Sequence, residues 1–306
     1  MSAVARESGG ILFLLSFPLV IRIIIRKFAP IMNDTLNIRG QLVSLDRPLV
    51  MGILNATPDS FYAASRLQTE REIAERVHQI IDEGGRMIDV GAYSTRPGAS
   101  EVTQDEEMRR LRLALDIVRR EQPDAIVSVD TFRADVARMT VEEYDVDIIN
   151  DVSEGADEQM FRTVAHLGVP YILMSIQANL HDTLLAFSRK VQQLRDFGQK
   201  DIILDPGFGF GKTLEENYLL MDQMERLLVM ELPLLVGISR KSMIYKSLGC
   251  TPAEALNGTT MLNTIALMKG ASILRVHDVS AAVECCKLFS YFKPLIPTDL
   301  CSLTSD

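Results

Sequence analysis

The chain has no tryptophan, and among its 306 residues there are only four cysteines and four histidines. Cys250, Cys285, Cys286 and Cys301 form no CxxC, and the adjacent pair would close only a strained ring. A disulfide-stapled scaffold is therefore excluded, and reduced thiols in a cytoplasmic setting are the expectation. His78, His166, His181 and His277 lie far apart, so no His/Cys zinc site is spelled out. Positive charge is also short: the net charge of −9 argues against a nucleic-acid-binding surface. No Pro/Gly/Ser-rich linker and no low-complexity tract divides the sequence. A run of about 20 apolar residues, as a membrane-spanning helix needs, is missing too. The longest stretch, Ile11 to Ile25, is interrupted by Pro18 and Arg22.

What is present is a 47% hydrophobic chain, enough to bury a full core over this length. Either two ordinary domains or one large α/β barrel would fit. Charge is unevenly spread. Residues 1–31 carry Arg6, Arg22, Arg26 and Lys27 against Glu7, a net +3, so the remainder carries −12. This leader has three readings: translation starting at Met32, a membrane-peripheral tail, or a signal peptide. The last is weakened because Arg22, Arg26 and Lys27 stand where a small-residue cleavage site belongs.

Beyond the leader, a β-branched run ending in polar residues and an amphipathic helical stretch recur. Strands are expected at 49–57, 87–93, 125–131, 147–152, 170–176, 202–206, 232–239 and 271–277. Helices are expected at 69–83, 104–121, 134–143, 158–166, 214–228 and 252–269, among others. Gly84-Gly85 closes the first of these, and Pro252 suits a first helical position. Eight units favour a single (β/α)₈ TIM barrel over an open doubly wound sheet.

A barrel builds its site at the carboxyl ends of its strands. Those positions hold Asn55, Ser94-Thr95-Arg96, Asp130, Asn150-Asp151, Ser175 with Gln177, Asp205, Ser239-Arg240-Lys241-Ser242, and Arg275 with His277 and Asp278. Any one of these could cap a helix or close a turn. Together they describe a polar pocket in which Arg96, Lys241 and Arg275 suit an anion such as phosphate. Its carboxylates suit N–H donors or a metal. Lys241, flanked by Arg240, is also a candidate for a lowered pKa and Schiff-base chemistry. The run GFGFGKT (207–213) fails as a P-loop, because the first glycine would fall at Pro206, and it fails as GxGxxG. It reads as a loop of close backbone approach, with Lys212 a solvated residue at a helix start.

The rim segments also carry a resemblance. GILNATPDSF (52–61), STRPGA (94–99), SVDT (128–131), IIND (148–151), LDPGFGFGKTLEEN (204–217), GISRKS (237–242) and RVHDV (275–279) occur in order. In these blocks the chain, from about Val50 to Val283, resembles the dihydropteroate synthases. That family joins 6-hydroxymethyl-7,8-dihydropterin pyrophosphate to p-aminobenzoate, giving 7,8-dihydropteroate and pyrophosphate in folate synthesis. The resemblance implies that Asn55 ligates a Mg²⁺ holding the pyrophosphate, and that Arg275 and His277 bind the same group. It places the pterin against Asp130, Asn150, Asp205 and Lys241, with Met174 and Thr95 as further substrate contacts. Phe61, Arg96 and Pro97 belong to two loops that close over p-aminobenzoate, whose carboxylate Ser242 helps to hold. Asp130, Asp205 and Lys241 are the catalytic candidates, in a dissociative displacement without a covalent enzyme intermediate.

Three departures stand out. Tyr62-Ala63-Ala64-Ser65 replaces the usual Ser-Asp-Gly-Gly, Ala92-Tyr93 replaces Gly-Glu, and Met174-Ser175-Ile176 replaces Met-His-Met. The alternatives are a non-catalytic pterin-binding paralogue and a relative of the methyltetrahydrofolate–corrinoid methyltransferases. STRPG together with SRKS argues against the second. The resemblance further implies a sulfonamide target and a cytoplasmic homodimer joined through its last helices, with small-molecule substrates and no nucleic acid. The expected division is a leader (1–31) outside the folded enzyme, a barrel (32–292) and a C-terminal tail (293–306).

Overall fold

The computed structural model describes residues 35–56, 66–93 and 102–292. The expectations for the leader and the tail lie outside these residues. The described chain opens with a hairpin, β1 (Thr35–Ile38) and β2 (Gln41–Ser44). Eight parallel strands follow: β3 (Leu49–Asn55), β4 (Met87–Gly91), β5 (Ile126–Asp130), β6 (Ile148–Asp151), β7 (Tyr171–Met174), β8 (Ile202–Asp205), β9 (Leu235–Val236) and β10 (Ile273–Val276). They pair in the order β8-β7-β6-β5-β4-β3-β10-β9. A parallel bridge between Leu204 and Leu234 joins the ends, with the Leu204 amide donating to the Pro233 carbonyl at 2.9 Å. The fold is a (β/α)₈ TIM barrel.

The helices are α1 (Arg66–Asp82), α2 (Gln104–Glu121), α3 (Ala134–Tyr144), α4 (Met160–Leu167), α5 (Leu180–Asp196), α6 (Leu214–Asp222), α7 (Ser242–Leu248), α8 (Leu256–Met268) and α9 (Val279–Phe292). Their ends follow local chemistry. Thr103 caps α2 by accepting from the Glu106 amide, with acids in its first turn and Arg119 and Arg120 in its last. Opposite charges thus sit on opposite ends of the helix dipole. Thr213 and Glu216 form a reciprocal capping box at α6. The helix expected over 214–228 instead stops at Asp222 and continues as a 3-10 turn, Met224–Met230. The strand expected over 232–239 is reduced to Leu235–Val236.

Side chains alternate across each strand. Outward ones, such as Val90, Val129, Leu173 and Leu204, pack under the helices. Inward ones form layers. The lower layer is apolar: Met51, Met87, Ile148, Ile172, Ile203, Leu235 and Ile273. Two residues further along the same strands the inward set becomes Ile53, Asp89, Ser128, Asn150, Met174, Asp205, Gly237 and Arg275. Polarity is thus confined to the carboxyl-terminal half of the bore.

The hairpin closes the opposite end. Leu36, Ile38 and Leu45 join the lower apolar layer. Arg39 and Gly40 both take positive φ (50° and 79°), the geometry of a type I′ turn. The strained Arg39 is held by an ion pair to buried Asp147 at 2.8 Å. The hairpin is therefore a plug that seals the apolar layer from water. Leu36→Ala should lower unfolding free energy by about 3 kcal/mol, measured by urea titration, with an unchanged far-UV circular dichroism spectrum. An unchanged midpoint would mean that the hairpin does not seal the core.

Candidate active site

The polar upper layer is organised around one guanidinium. Arg275, on β10, donates from Nε to Asp89 Oδ2 at 2.6 Å and from Nη2 to Asp130 Oδ2 at 2.9 Å. Asn150 Nδ2 donates to the same Asp89 oxygen at 3.3 Å. Two carboxylates share one cation here. Burial, opposed by Arg275 and reinforced by Asp89, pushes the Asp130 carboxyl up to about 7. Burial disfavours the Arg275 charge, yet the two carboxylates more than compensate and raise its pKa. Asp89 Oδ1 and Asn150 Oδ1 are buried acceptors with no partner among the described residues. Unpartnered buried acceptors are costly in a dry interior, and they suit a ligand rich in N–H donors.

On the other side of the bore stand Asp205 and Lys241. Asp205 ends β8, accepts from the Gly207 amide at 2.7 Å, and is raised in pKa by burial, with Lys241 and Arg275 pulling the other way. Lys241 donates to the Phe208 carbonyl at 2.5 Å and sits 4.4 Å from the Phe210 ring centroid. Burial lowers its pKa to about 8, with Asp205 opposing and Arg275 and Lys212 assisting. The expectation that neighbouring Arg240 does this is corrected. Arg240 turns away, pairing with both oxygens of Asp278 at 2.8 Å and with the Pro252 and Ala253 carbonyls.

The glycine run after β8 wraps this lysine. Gly207 has φ +70°, and a Cβ there would lie 2.0 Å from the Ser175 carbonyl oxygen. A Cβ on Gly209 (φ +81°) would meet Lys241 Cδ at 2.9 Å. Only glycine lets the backbone come this close. Lys212, expected to be solvated, instead reaches inward. Its ammonium donates to the carbonyls of Ser175, Gly207 and Phe210 at 3.2, 2.9 and 3.2 Å. Three carbonyls of two adjacent rim loops are a better sink for it than water, and burial lowers its pKa to about 8.

A second recess lies where β3 meets β10. Asn55, exposed at the end of β3, borders a cavity of about 340 Å³ with Glu72, Arg76 and His277. Ser239 Oγ accepts from the His277 amide at 3.2 Å and lies 3.1 Å from Nδ1. Its hydroxyl proton is then free to point at Nδ1, which leaves the imidazole proton on Nε2. Burial, with Arg275 adding repulsion, pushes His277 down to about 4, so the ring is a neutral donor at pH 7.

Of the residues singled out from the sequence, Asp130, Asn150, Asp205, Lys241 and Arg275 converge in the upper bore. Met174, last residue of β7, is buried beside Gly207. Ser242 opens α7 next to Lys241. Asn55 and His277 share the second recess. Phe61, Thr95, Arg96 and Pro97 lie outside the described residues. Arg275 was grouped with Arg96 and Lys241 as an anion clamp, but two of its donors are spent on carboxylates. Asp89 and the inward role of Lys212 were missed. An acid flanked by Ile88 and Val90 in mid-strand was the available signal for the former.

Asn55 supplies a neutral oxygen in a recess that the neutral imidazole donor of His277 also lines. That set fits a Mg²⁺ held by few protein ligands and completed by phosphate oxygens. Among the described residues no three His, Cys, Asp or Glu side chains converge as a self-sufficient metal site. Nor is any described helix long and apolar enough to cross a membrane.

The fold and the sequence recur among known proteins. The profile of the pterin binding enzyme family matches residues 51–277. The dihydropteroate synthase of Escherichia coli (strain K12) is 36% identical over 261 residues, covering 80% of this chain and 92% of that protein. A Xanthomonas albilineans dihydropteroate synthase, solved with 4-aminobenzoic acid, superposes with a TM-score of 0.79 at 31% identity. It covers 86% of this chain and 99% of its own. The Coxiella burnetii dihydropteroate synthase in complex with pteroic acid gives 0.76 at 32% identity, over 86% and 99% of the two chains. With its rim acids, its lysine and its glycine loop set on the same barrel, the chain belongs to the pterin-binding enzyme family, among the dihydropteroate synthases.

Proposed function

We propose that this chain condenses 6-hydroxymethyl-7,8-dihydropterin pyrophosphate with p-aminobenzoate, releasing 7,8-dihydropteroate and pyrophosphate. The observation that carries the reading is the bank of buried acceptors in the upper bore, Asp89 Oδ1, Asn150 Oδ1 and the Asp205 carboxylate, facing a lysine. A pterin edge presents an amide N–H and an exocyclic amine to such acceptors, and its carbonyl oxygen to Lys241. Asp130, Asn150 and Met174 belong to the same half of the bore, and the family resemblance adds Thr95 as a substrate contact.

The pyrophosphate lies toward Asn55 and His277. Here Asn55 would hold Mg²⁺, which would supply Lewis-acid stabilisation of the departing phosphate oxygens. His277 donates a hydrogen bond from Nε2–H to the same oxygens. The methylene–oxygen bond breaks first, leaving a cation conjugated with the pterin. The carboxylates of the upper bore stabilise that charge, and the arylamine nitrogen then attacks and loses a proton. Lys241 orients and polarises the ring and forms no Schiff base. The family resemblance assigns Phe61, Arg96 and Pro97 to p-aminobenzoate and Ser242 to its carboxylate, which makes sulfonamides competitors for the same site.

The outer faces of α8 and α9 expose Met261, Met268, Leu288 and Tyr291. This apolar surface suits a homodimer contact. The cytoplasm, where both small-molecule substrates would be drawn from a soluble pool, is the proposed location.

Purified protein with Mg²⁺, the pterin pyrophosphate and p-aminobenzoate should form dihydropteroate. Asp205→Asn and Lys241→Ala should each lose on the order of 100-fold in kcat/KM while keeping the native circular dichroism spectrum. Pterin binding without pyrophosphate release would identify a non-catalytic paralogue instead. A pH prediction follows from Asp130. Its folded-state pKa, about 7, lies above the ordinary 3.8, so the folded state holds a proton that the unfolded state has lost between those values. That contribution to stability is full below about pH 4 and is lost as pH rises through 7. Calorimetry should therefore show Tm falling less between pH 5 and 8 in Asp130→Asn than in the parent. Parallel Tm profiles would sink this assignment.

A further inference from the structure

At the seam between β3 and β10 a side chain takes over from the sheet. The ladder runs from Leu49–Ile273 to Gly52–Val276 and stops there. One residue further on, Ile53 and His277 no longer pair with each other. Arg76 of α1, half-buried, occupies this point. Its Nε donates to the Ile53 carbonyl at 3.1 Å and its Nη2 to the His277 carbonyl at 2.6 Å. The third nitrogen, Nη1, donates to Gln79 Oε1 at 2.8 Å, which fixes the rotation of the guanidinium plane from within the same helix.

The bridge falls directly beneath the residues that border the second recess. Ile53 lies two residues before Asn55, and His277 carries the imidazole that Ser239 orients. The cavity of about 340 Å³ is lined by Ile53, Asn55 and His277 together with Arg76. On its other side β3 stays tied to β4 up to Asn55–Gly91, and the Ala56 amide donates to the Gly91 carbonyl at 2.8 Å. The end of β3 is therefore fixed toward β4 by the sheet and toward β10 by Arg76. A planar fork with two parallel donors can span two carbonyls, and a lysine ammonium cannot reproduce that spacing.

We propose that Arg76 is a positioning residue for the diphosphate end of the substrate. It sets the gap between the β3 and β10 ends so that Asn55 and His277 address one diphosphate, and it adds a fixed positive charge behind them. The proposal rests on the reading of this recess given above. Its reach is local, because the pterin acceptors stand on β4, β6 and β8 and Lys241 follows β9, whereas the hydrogen bonds of Arg76 go to Ile53, Gln79 and His277.

The test uses the full chain, with inorganic pyrophosphate and Mg²⁺ as the calorimetric probe and steady-state kinetics alongside. Arg76→Met should weaken pyrophosphate about tenfold and raise KM for the pterin pyrophosphate to match, leaving KM for p-aminobenzoate within about twofold. Arg76→Lys, which restores the charge without the fork, should recover only part of the affinity. Unchanged pyrophosphate affinity in Arg76→Met overturns the proposal, as does equal weakening of both substrates. Should Arg76→Met fail to fold, Arg76→Lys carries the test, and full parental affinity there overturns it. If the parent itself binds no pyrophosphate, the diphosphate reading of the recess falls and takes the Arg76 proposal with it.

Discussion

The upper half of the barrel depends on the grip of Arg275 between Asp89 and Asp130. Three strands, β4, β5 and β10, meet at this one guanidinium across the bore. A buried carboxylate pair without a cation would neutralise by binding protons or would open the barrel. With the cation in place, the interior tolerates acids at a depth where the next layer down holds only Met, Ile and Leu. The cost of removing Arg275 alone would be about 3–5 kcal/mol, because two carboxylates would be left buried with no counter-charge. The same grip leaves acceptor capacity unused, since Asp89 Oδ1 and Asn150 Oδ1 remain without partners among the described residues. In the proposed function, stability and ligand recognition are thus drawn from one cluster.

The remaining charges are tuned by the same burial. Lys241 and Lys212 are both pushed down to about 8 and Asp130 up to about 7. Groups that in water would titrate far from neutrality are brought close to it. Their charge responds to an arriving anion or N–H donor instead of being fixed by solvent. The two lysines divide the work. Lys212 is tied down by three carbonyls and holds the glycine loop, whereas Lys241 keeps one carbonyl and one ring face as partners. A lysine with a single carbonyl to relinquish can reorganise onto a substrate oxygen at little cost.

Much of the fold and of the site was legible in the sequence because both follow local pattern. Eight β-branched runs, each ending in polar residues, gave the barrel and located Asn55, Asp130, Asn150, Asp205 and Lys241 at its rim. What escaped depends on partners far apart in the chain. Asp89 meets Arg275 across 186 residues of sequence, and Arg240 leaves Lys241 for an Asp278 that lies 38 residues on. The plug escaped for a different reason. A four-residue strand such as Thr35–Ile38 is too short to show a period, and its burial is decided by the open end of a barrel it does not belong to. Lys212 was misjudged because a lysine before a helix is ordinarily solvated. Only the folding back of the glycine run brings three carbonyls within its reach.

The departures from the family pattern can be weighed in the same terms. Ser175 stands where a histidine is usual, and the structure gives it a partner: its hydroxyl donates to Glu154 Oε1 at 3.2 Å, while Gln177 Nε2 donates to Oε2 at 2.9 Å. Glu154 takes positive φ (61°), a conformation that costs a non-glycine residue and is held here by Lys190 on its carbonyl. The smaller side chain thus stands against a buried acid, fixed by two donors of the loop after β7. Tyr93, in place of the usual acid before the STRPG block, packs edge-on to Phe132 with the Arg133 guanidinium above both rings. Arg133 is in turn paired with buried Glu107, which also accepts from Thr131. Both substitutions are absorbed by networks one layer outside the acids and lysine of the bore. Neither removes a group on which the proposed displacement depends, and the Arg275 cluster reaches the rim unaltered.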